Sequence, residues 1–262
     1  MIEVKNLCKR FGEITAVDDI SFAVPAGEIF AFLGPNGAGK STTIKILTTL
    51  LRPTSGSVRV NGHDVVTEPD KVRRSFGIVF QDPSLDSELT AWENMEIHGV
   101  LYDVPRKQRR ERIEQLLTLV ELWDRKDSRV LTFSGGMRRR LEIARGLLHH
   151  PKIIFLDEPT LGLDPQTRNQ MWNYLRELNR AEGTTVFFST HYMDEAERIA
   201  ARIAIIDHGR IVALGTASEL KQQTGGASLE DAFLALTGKH IREETAGGAD
   251  MMRAFIRGQM KR

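Results

Sequence analysis

The octapeptide Gly34-Pro35-Asn36-Gly37-Ala38-Gly39-Lys40-Ser41 has the spacing G-x-x-x-x-G-K-[ST]. Glycines at this spacing let successive backbone N–H groups close around phosphate oxygens, and a following helix adds its positive end. A lysine after the last glycine reaches the β- and γ-phosphates, and a serine next to it suits Mg²⁺. The alternative reading is a glycine-rich turn before a helix. The context argues against it, because the apolar run Ile29–Leu33 precedes the loop and Ile44, Leu47, Leu50 and Leu51 follow at helical spacing.

A second chemical feature closes another apolar run, where Ile153-Ile154-Phe155-Leu156 ends in Asp157-Glu158. Two carboxylates at the end of a buried strand call for a cation or water beside them. Asp157 suits Mg²⁺, and Glu158 suits polarising an attacking water as general base. Alone, acids at a strand end are commonplace; beside a phosphate loop they are not. Gln81 and His191 also fall just past apolar runs. In an open parallel sheet such strand ends share one edge, where ligands bind. Ser134-Gly135-Gly136 then opens a helical stretch with Met137, Leu141, Ala144 and Leu148 on one face. Ser134 can cap that helix, and the glycines leave N–H groups bare for an anion. Two anion sites but only one lysine loop fit a pair of chains, each closing the other's nucleotide.

The elements that must hold these residues are five short apolar runs: Ile29–Leu33, Phe76–Phe80, Ile153–Leu156, Val186–Phe188 and Ile203–Ile206. None alternates with polar residues, the pattern of strands covered on both faces. Helical spacing appears between them at Ile113, Leu116, Leu117 and Val120, and at Met171, Tyr174, Leu175 and Leu178. The fold class is therefore α/β with a mainly parallel core sheet. Alternation at Ile2 and Val4, and at Val58 and Val60 before Asn61-Gly62, predicts a flanking antiparallel sheet. Residues 82–150 show helical patterns and no strand, so they form an inserted helical subdomain. The main domain spans 1–215, and 216–262 is a short helical extension with a Gly247-Gly248 break and a basic tail.

Of 262 residues, 41% are hydrophobic and 27% charged, enough for a sizeable core, and the net charge is +1. That balance leaves no electrostatic footprint for direct nucleic-acid binding. The single cysteine, Cys8, cannot form an internal disulfide and suits a reducing compartment; it sits near an expected edge strand. Charged Met1–Lys5 lacks the apolar core of a secretion signal, and no apolar run is long enough to span a bilayer. A membrane role must come through a partner.

These motifs, in this order, closely resemble an ABC transporter nucleotide-binding domain of the P-loop NTPase ABC ATPase fold, over roughly residues 1–215. Gly34–Ser41 resembles the Walker A loop and Ile153–Glu158 the Walker B strand. Gln81 falls at the Q-loop, Ser134-Gly135-Gly136 at the signature, Leu161-Gly162-Leu163-Asp164 at the D-loop and Ser189-Thr190-His191 at the H-loop. Phe11 occupies the place of the aromatic that stacks on adenine.

The resemblance implies ATP and Mg²⁺ as ligands and hydrolysis of ATP. Phe11, Gly34, Pro35, Asn36, Gly37, Ala38, Gly39, Lys40, Ser41 and Thr42 would hold the nucleotide of one chain. Ser134, Gly135, Gly136 and Asp164 of a second, head-to-tail copy would close it. Ser41, Gln81 and Asp157 would surround the metal; Glu158, His191 and Gln81 would carry the chemistry. The Gln81 loop and helical subdomain would receive a helix of a separate transmembrane permease, placing the chain on the cytoplasmic face of a membrane. Two departures from the family pattern stand out: Met137 replaces the commoner glutamine after the signature glycines, and Leu161 replaces serine in the D-loop. Neither touches the lysine, metal or base positions.

Within the family, Ser134–Arg138, Thr190–Ala196 and Leu229-Glu230-Asp231-Ala232-Phe233 look most like drug-resistance and polysaccharide (ABC-2 type) exporter ATPases. An importer ATPase is the alternative, though it often carries a longer domain after the core. ATPases acting on ribosomes usually join two cassettes, and those acting on DNA insert long coiled coils; neither pattern is present. Among weaker features, Pro105–Arg110 reads as a solvated helix face, and Arg138-Arg139-Arg140 as the polar side of the signature helix. His149-His150 would suit the negative end of that helix as a cation. Trp92, Trp123 and Trp172 read as packing residues.

Overall fold

The computed structural model describes residues 1–238; the Gly247-Gly248 break and basic tail lie outside the described residues. A four-stranded antiparallel sheet comprises β1 (Ile2–Phe11), β2 (Ile14–Val24), β4 (Ser55–Val60) and β5 (His63–Asp64), in the order β2-β1-β4-β5. β1 is thus an inner strand, which corrects the edge placement of Cys8. Cys8 pairs with Ser55 in β4, and its Sγ accepts from the Asp19 amide at 3.2 Å.

The core sheet has six strands in the order β10-β9-β3-β8-β7-β6. They are β3 (Ile29–Leu33), β6 (Phe76–Val79), β7 (Ile153–Asp157), β8 (Thr185–Thr190), β9 (Arg202–Asp207) and β10 (Arg210–Gly215). All five apolar runs are strands here, mutually parallel, with β10 joining antiparallel at one edge. Successive side chains point to opposite faces, so each run feeds two cores. Phe30, Phe32, Phe155 and Phe187 pack under the antiparallel sheet, while Ala31, Leu33, Leu156 and Phe188 pack against helices. Each buried phenylalanine contributes about 1.5–3 kcal/mol, so the strand ends bearing the chemistry rest on a stiff floor.

α1 (Lys40–Leu47) begins directly at the lysine of the phosphate loop. It is shorter than its apolar spacing predicts. Thr49 takes φ +64°, which ends the helix and leaves Leu50 exposed. α2 (Pro69–Ser75) leads into β6. Between β6 and β7 lies the helical insertion, with α3 (Ala91–Leu101), α4 (Arg106–Leu119) and α5 (Gly135–Gly146). A capping box at Thr90 and Glu93 starts α3. Trp92 and Trp123 meet edge to face in this subdomain, and Trp172 is buried against Phe188. Of the basic run, Arg109 is the exception to solvation, ion-paired to Glu96 at 2.7 Å. α6 (Pro165–Glu182) and α7 (Met193–Ile199) flank β8, and α8 (Ala217–Thr224) and α9 (Leu229–Thr237) close the described chain.

α5 is buried on two faces. Leu141 and Ala144 face the helical core, as their spacing predicts. Arg139, Glu142, Ile143 and Gly146, at i, i+3, i+4 and i+7, are buried as well. The backbones of β6 and α5 approach so closely that a Cβ on Gly77 would stand 2.0 Å from the Gly146 carbonyl oxygen. That second face corrects the expectation that all three arginines lie on a polar side: Arg139 is only 8% exposed. The cation at the helix end is corrected too. Burial lowers the His149 pKa to about 4, beside Tyr102 stacked at 3.8 Å, so the ring is neutral at pH 7. Burial also lowers the pKa of His150.

Candidate nucleotide site

Parallel register brings the strand ends together. Leu33 is level with Thr190, Asp157 with Ser189 and Val79 with Leu156. The turn after β3 stays tight because the Gly34 amide donates to the Thr190 carbonyl at 3.2 Å. Gly39 takes φ +105°, and a Cβ there would stand 2.5 Å from the Ala16 carbonyl oxygen, so only glycine fits the last loop position.

Lys40 is buried, and its Nζ donates to the Gly34 carbonyl at 2.7 Å and the Pro35 carbonyl at 3.1 Å. The same ammonium lies 3.1 Å from Glu158 Oε1. The other Glu158 oxygen lies 2.7 Å from His191 Nδ1. Burial pushes the Glu158 carboxyl pKa up, but the His191 hydrogen bond and the Lys40 charge outweigh it and hold it below the usual value. The carboxylate is therefore ionised at neutral pH, as a general base must be.

Ser41 Oγ donates to Asp157 Oδ1 at 3.1 Å. Ser189 Oγ donates to the same oxygen at 2.6 Å and accepts from the Glu158 amide at 3.0 Å. Sequence reasoning gave Ser189 no role of its own. Its signal was its place level with Asp157 on the neighbouring strand. The two hard oxygens of Ser41 and Asp157, in contact, are of the kind that fits Mg²⁺. That cation takes one or two protein oxygens and completes its shell with phosphates and water.

Glu158 itself has φ +48°, a left-handed conformation that non-glycine residues rarely hold. Arg139 embraces this turn, donating to the carbonyls of Asp157 at 3.1 Å, Glu158 at 3.3 Å and Pro159 at 2.8 Å. Behind it lies Glu195, fully buried, which accepts from Thr160 Oγ1 at 2.9 Å and Thr190 Oγ1 at 3.3 Å. Arg168 Nε is 3.3 Å from its other oxygen. Burial raises the Glu195 pKa against these partners. Neither Arg139 nor Glu195 carried a structural role in the sequence reading. An i+3 acid, Glu142, was the available signal for the first, and a buried first-turn position on α7 for the second.

The remaining candidates stand apart from this cluster. Gln81 is exposed just beyond β6, and among the described residues no hydrogen bond ties its side chain to Ser41 or Asp157. Ser134 caps α5, its Oγ accepting from the Met137 amide at 3.2 Å. Gly135 is exposed, and no atom lies within 4 Å of where its Cβ would be. Asp164 caps α6, accepting from the Gln166 and Thr167 amides at 3.0 Å and from Thr167 Oγ1 at 2.6 Å. Phe11, at the end of β1, has Lys9 Nζ 4.8 Å from its ring centroid. Leu161, where the family commonly has serine, is exposed.

A lysine-bearing phosphate loop on β3, a serine–aspartate pair and an ionised carboxylate at the end of a nearby parallel strand define a P-loop nucleotide-hydrolysing cassette. The ABC transporter family model matches residues 17–161. The daunorubicin/doxorubicin resistance ATP-binding protein DrrA of Streptomyces peucetius is 50% identical over 224 residues, covering 86% of this chain and 68% of that protein. The Nod factor export ATP-binding protein I of Ralstonia nicotianae is 40% identical over 233 residues, covering 89% of this chain and 72% of its own. A solved ATP-binding subunit of an ABC transporter superimposes with a TM-score of 0.83 at 34% identity, covering 90% of this chain and 99% of that one. A dimeric ATP-binding cassette in a post-hydrolysis state, bound to ADP and Pi, matches with a TM-score of 0.74 at 32% identity, covering 82% and 98%. The chain belongs to the ABC transporter family, as an ATP-binding subunit that hydrolyses ATP.

Proposed function

We propose that this ATPase pairs head to tail with a second copy and powers a separate transmembrane permease exporting a drug-like, hydrophobic or polysaccharide substrate. The observation that carries the hydrolytic half is the ionised Glu158 carboxylate held between Lys40 and His191 beside Ser41 and Asp157. The relatives named for daunorubicin resistance and for Nod factor export support the direction of transport. Among the described residues no helix is long and apolar enough to cross a membrane, and in this reading a separate permease crosses it. The cassette then lies on the cytoplasmic face of the membrane, bound through that permease.

In the catalytic cycle, the loop amides and Lys40 receive the β- and γ-phosphates. A γ-phosphate at Lys40 competes with Glu158 for the ammonium and releases the carboxylate toward water. Glu158 then takes a proton from the water that attacks the γ-phosphorus, ADP leaves, and His191 steadies the carboxylate and the phosphoryl oxygens. Ser41 and Asp157 would hold Mg²⁺, with Gln81 brought in from its exposed loop, and the ion would supply neutralisation of the charge on the phosphates. Ser134, Gly135 and Gly136 of the second copy offer bare amides to the same γ-phosphate, with Asp164 between the two sites. Purification of the tagged chain from detergent-solubilised membranes of its own cell tests the partnership. Co-purification of a polytopic exporter-type protein supports the reading, an importer-type protein reverses the direction, and ribosomal or DNA-bound proteins overturn transport.

A further inference from the structure

Arg139 lies on the second buried face of α5, and every donor direction of its guanidinium is used. It donates to Glu142 Oε2 at 3.0 Å, to the carbonyls of Asp157, Glu158 and Pro159, and to the carbonyl of Phe80. Three of these acceptors are consecutive carbonyls of the turn in which Glu158 is held left-handed. Such a conformation persists only where its surroundings over-determine it. A guanidinium suits the task, since its donors form a rigid planar fork. Glu142 extends the brace: its other oxygen accepts from the Ser84 amide at 2.7 Å and Ser84 Oγ at 3.3 Å. Arg145 of the same helix donates to the Ser84 carbonyl at 2.8 Å. Phe80 and Ser84 are the two ends of the loop that presents Gln81.

We propose that the Arg139–Glu142 pair is a positioning device that locks three parts together: the helix begun by Ser134-Gly135-Gly136, both ends of the Gln81 loop, and the Glu158 turn. Through it, a shift of α5 or of the Gln81 loop reorients the carboxylate that activates water. The inference rests on the reading of Glu158 as base. It differs from a plain packing role in one respect. A buried ion pair that only packs can be exchanged for well-packed uncharged residues with little loss of stability, whereas the grip on three carbonyls cannot survive its replacement.

The deciding variant is Arg139→Gln/Glu142→Gln in the full chain, with Arg139→Lys beside it. The expected double variant stays folded with a lowered urea midpoint, because the carbonyls lose their donors, and in the absence of urea it binds ATP within about threefold of wild type. Its kcat nevertheless falls at least about tenfold, as misplacement of a reacting group does. Its Ser84 amide also exchanges hydrogen at least about tenfold faster, as local opening requires. Arg139→Lys keeps the ion pair but loses the fork, so it is expected to lose kcat with ATP affinity unchanged. It also decides the matter should the double variant fail to fold. Wild-type kcat in a folded variant overturns the proposal, as does a kcat loss that merely tracks lost stability and ATP affinity. Glu158→Gln is run in parallel: turnover there at the wild-type rate sinks the base assignment, while the Ser84 exchange still reports on the brace.

Discussion

The end of β7 and the start of α5 both carry residues proposed to meet phosphate, yet they are built in opposite ways. Around Asp157 and Glu158 each carboxylate finds polar partners inside the chain: Lys40 and His191 on Glu158, Ser41 and Ser189 on Asp157. At Ser134-Gly135-Gly136 the chain is open at Gly135, where an added Cβ would meet nothing within 4 Å, while Gly136 packs against Thr167. Buried charge must be compensated within the fold, whereas an exposed helix start can wait for a ligand or a second chain. The difference suits the proposed division, with chemistry in one region and completion by a second chain at the other.

The largest effect that could break this division is on Glu158. Glu158→Gln should lower kcat by about 10²–10⁴-fold, the usual worth of a general base, while ATP binding persists and a nucleotide-bound dimer accumulates on size exclusion. Turnover near wild type would mean that the matched cluster is not where water is activated. Next comes Lys40→Ala, which removes a charge-assisted contact worth about 1.5–3 kcal/mol. ATP affinity measured by calorimetry should fall about 10–100-fold. Because Glu158 then loses a counter-charge, its carboxyl pKa should also rise.

The open region is tested by substitution and mixing. Gly135→Asp sets a negative charge where the γ-phosphate of a second chain would arrive. Turnover should collapse while each chain still binds ATP within about threefold of wild type, since the site holding phosphate is untouched. Mixing Gly135→Asp with Lys40→Ala chains should restore about a quarter of wild-type activity, because half of the randomly formed dimers own one intact composite site. No recovery would show that both regions serve a single chain. A smaller effect is expected for Gly77→Ala, which drives a Cβ toward the Gly146 carbonyl. Urea unfolding should show about 1–3 kcal/mol lost, the cost of overpacking.

The matched region was the more legible of the two in sequence. Five apolar runs gave the parallel strands, and the motifs after three of them, at Lys40-Ser41, Asp157-Glu158 and His191, meet because a parallel sheet places such ends on one edge, while Gln81 stands apart. What the sequence did not disclose depends on contacts between distant segments. Arg139 reads as surface in a run of three arginines, because the acceptors that bury it are main-chain carbonyls with no residue identity. Helix length failed at Thr49, where one left-handed residue overrode apolar spacing. Cys8 was misplaced because strand order within a sheet is not written in any strand's own pattern. His149 was misread because a helix end favours a cation only while solvent still reaches it.

That last misreading gives the smallest and most selective effect. Around Glu158 burial is tolerated as charge, whereas in the His98–Tyr102–His149 stack it is tolerated only as neutrality. Burial lowers His98 to about 3 and His149 to about 4 from the ordinary 6.5, with Arg145 adding to the effect on His98 and His150 to that on His149. The unfolded chain therefore binds protons that the folded chain refuses between pH 6.5 and about 4. Stability must fall as pH drops through that window, by at most about 1.4 kcal/mol per pH unit for each ring. The depressed Glu158 pKa acts lower, its stabilisation being lost only as pH falls through the folded value, below the usual carboxylate range. Urea midpoints across pH 4–7 should thus decline from near pH 6, and His149→Phe should make that early slope shallower, with His98 and His150 carrying the rest and the raised Glu195 pKa opposing it. Glu158→Gln should leave the early slope intact. If instead it flattens the decline while His149→Phe does not, the compensated cluster, and not the neutral stack, is where this fold first yields to acid.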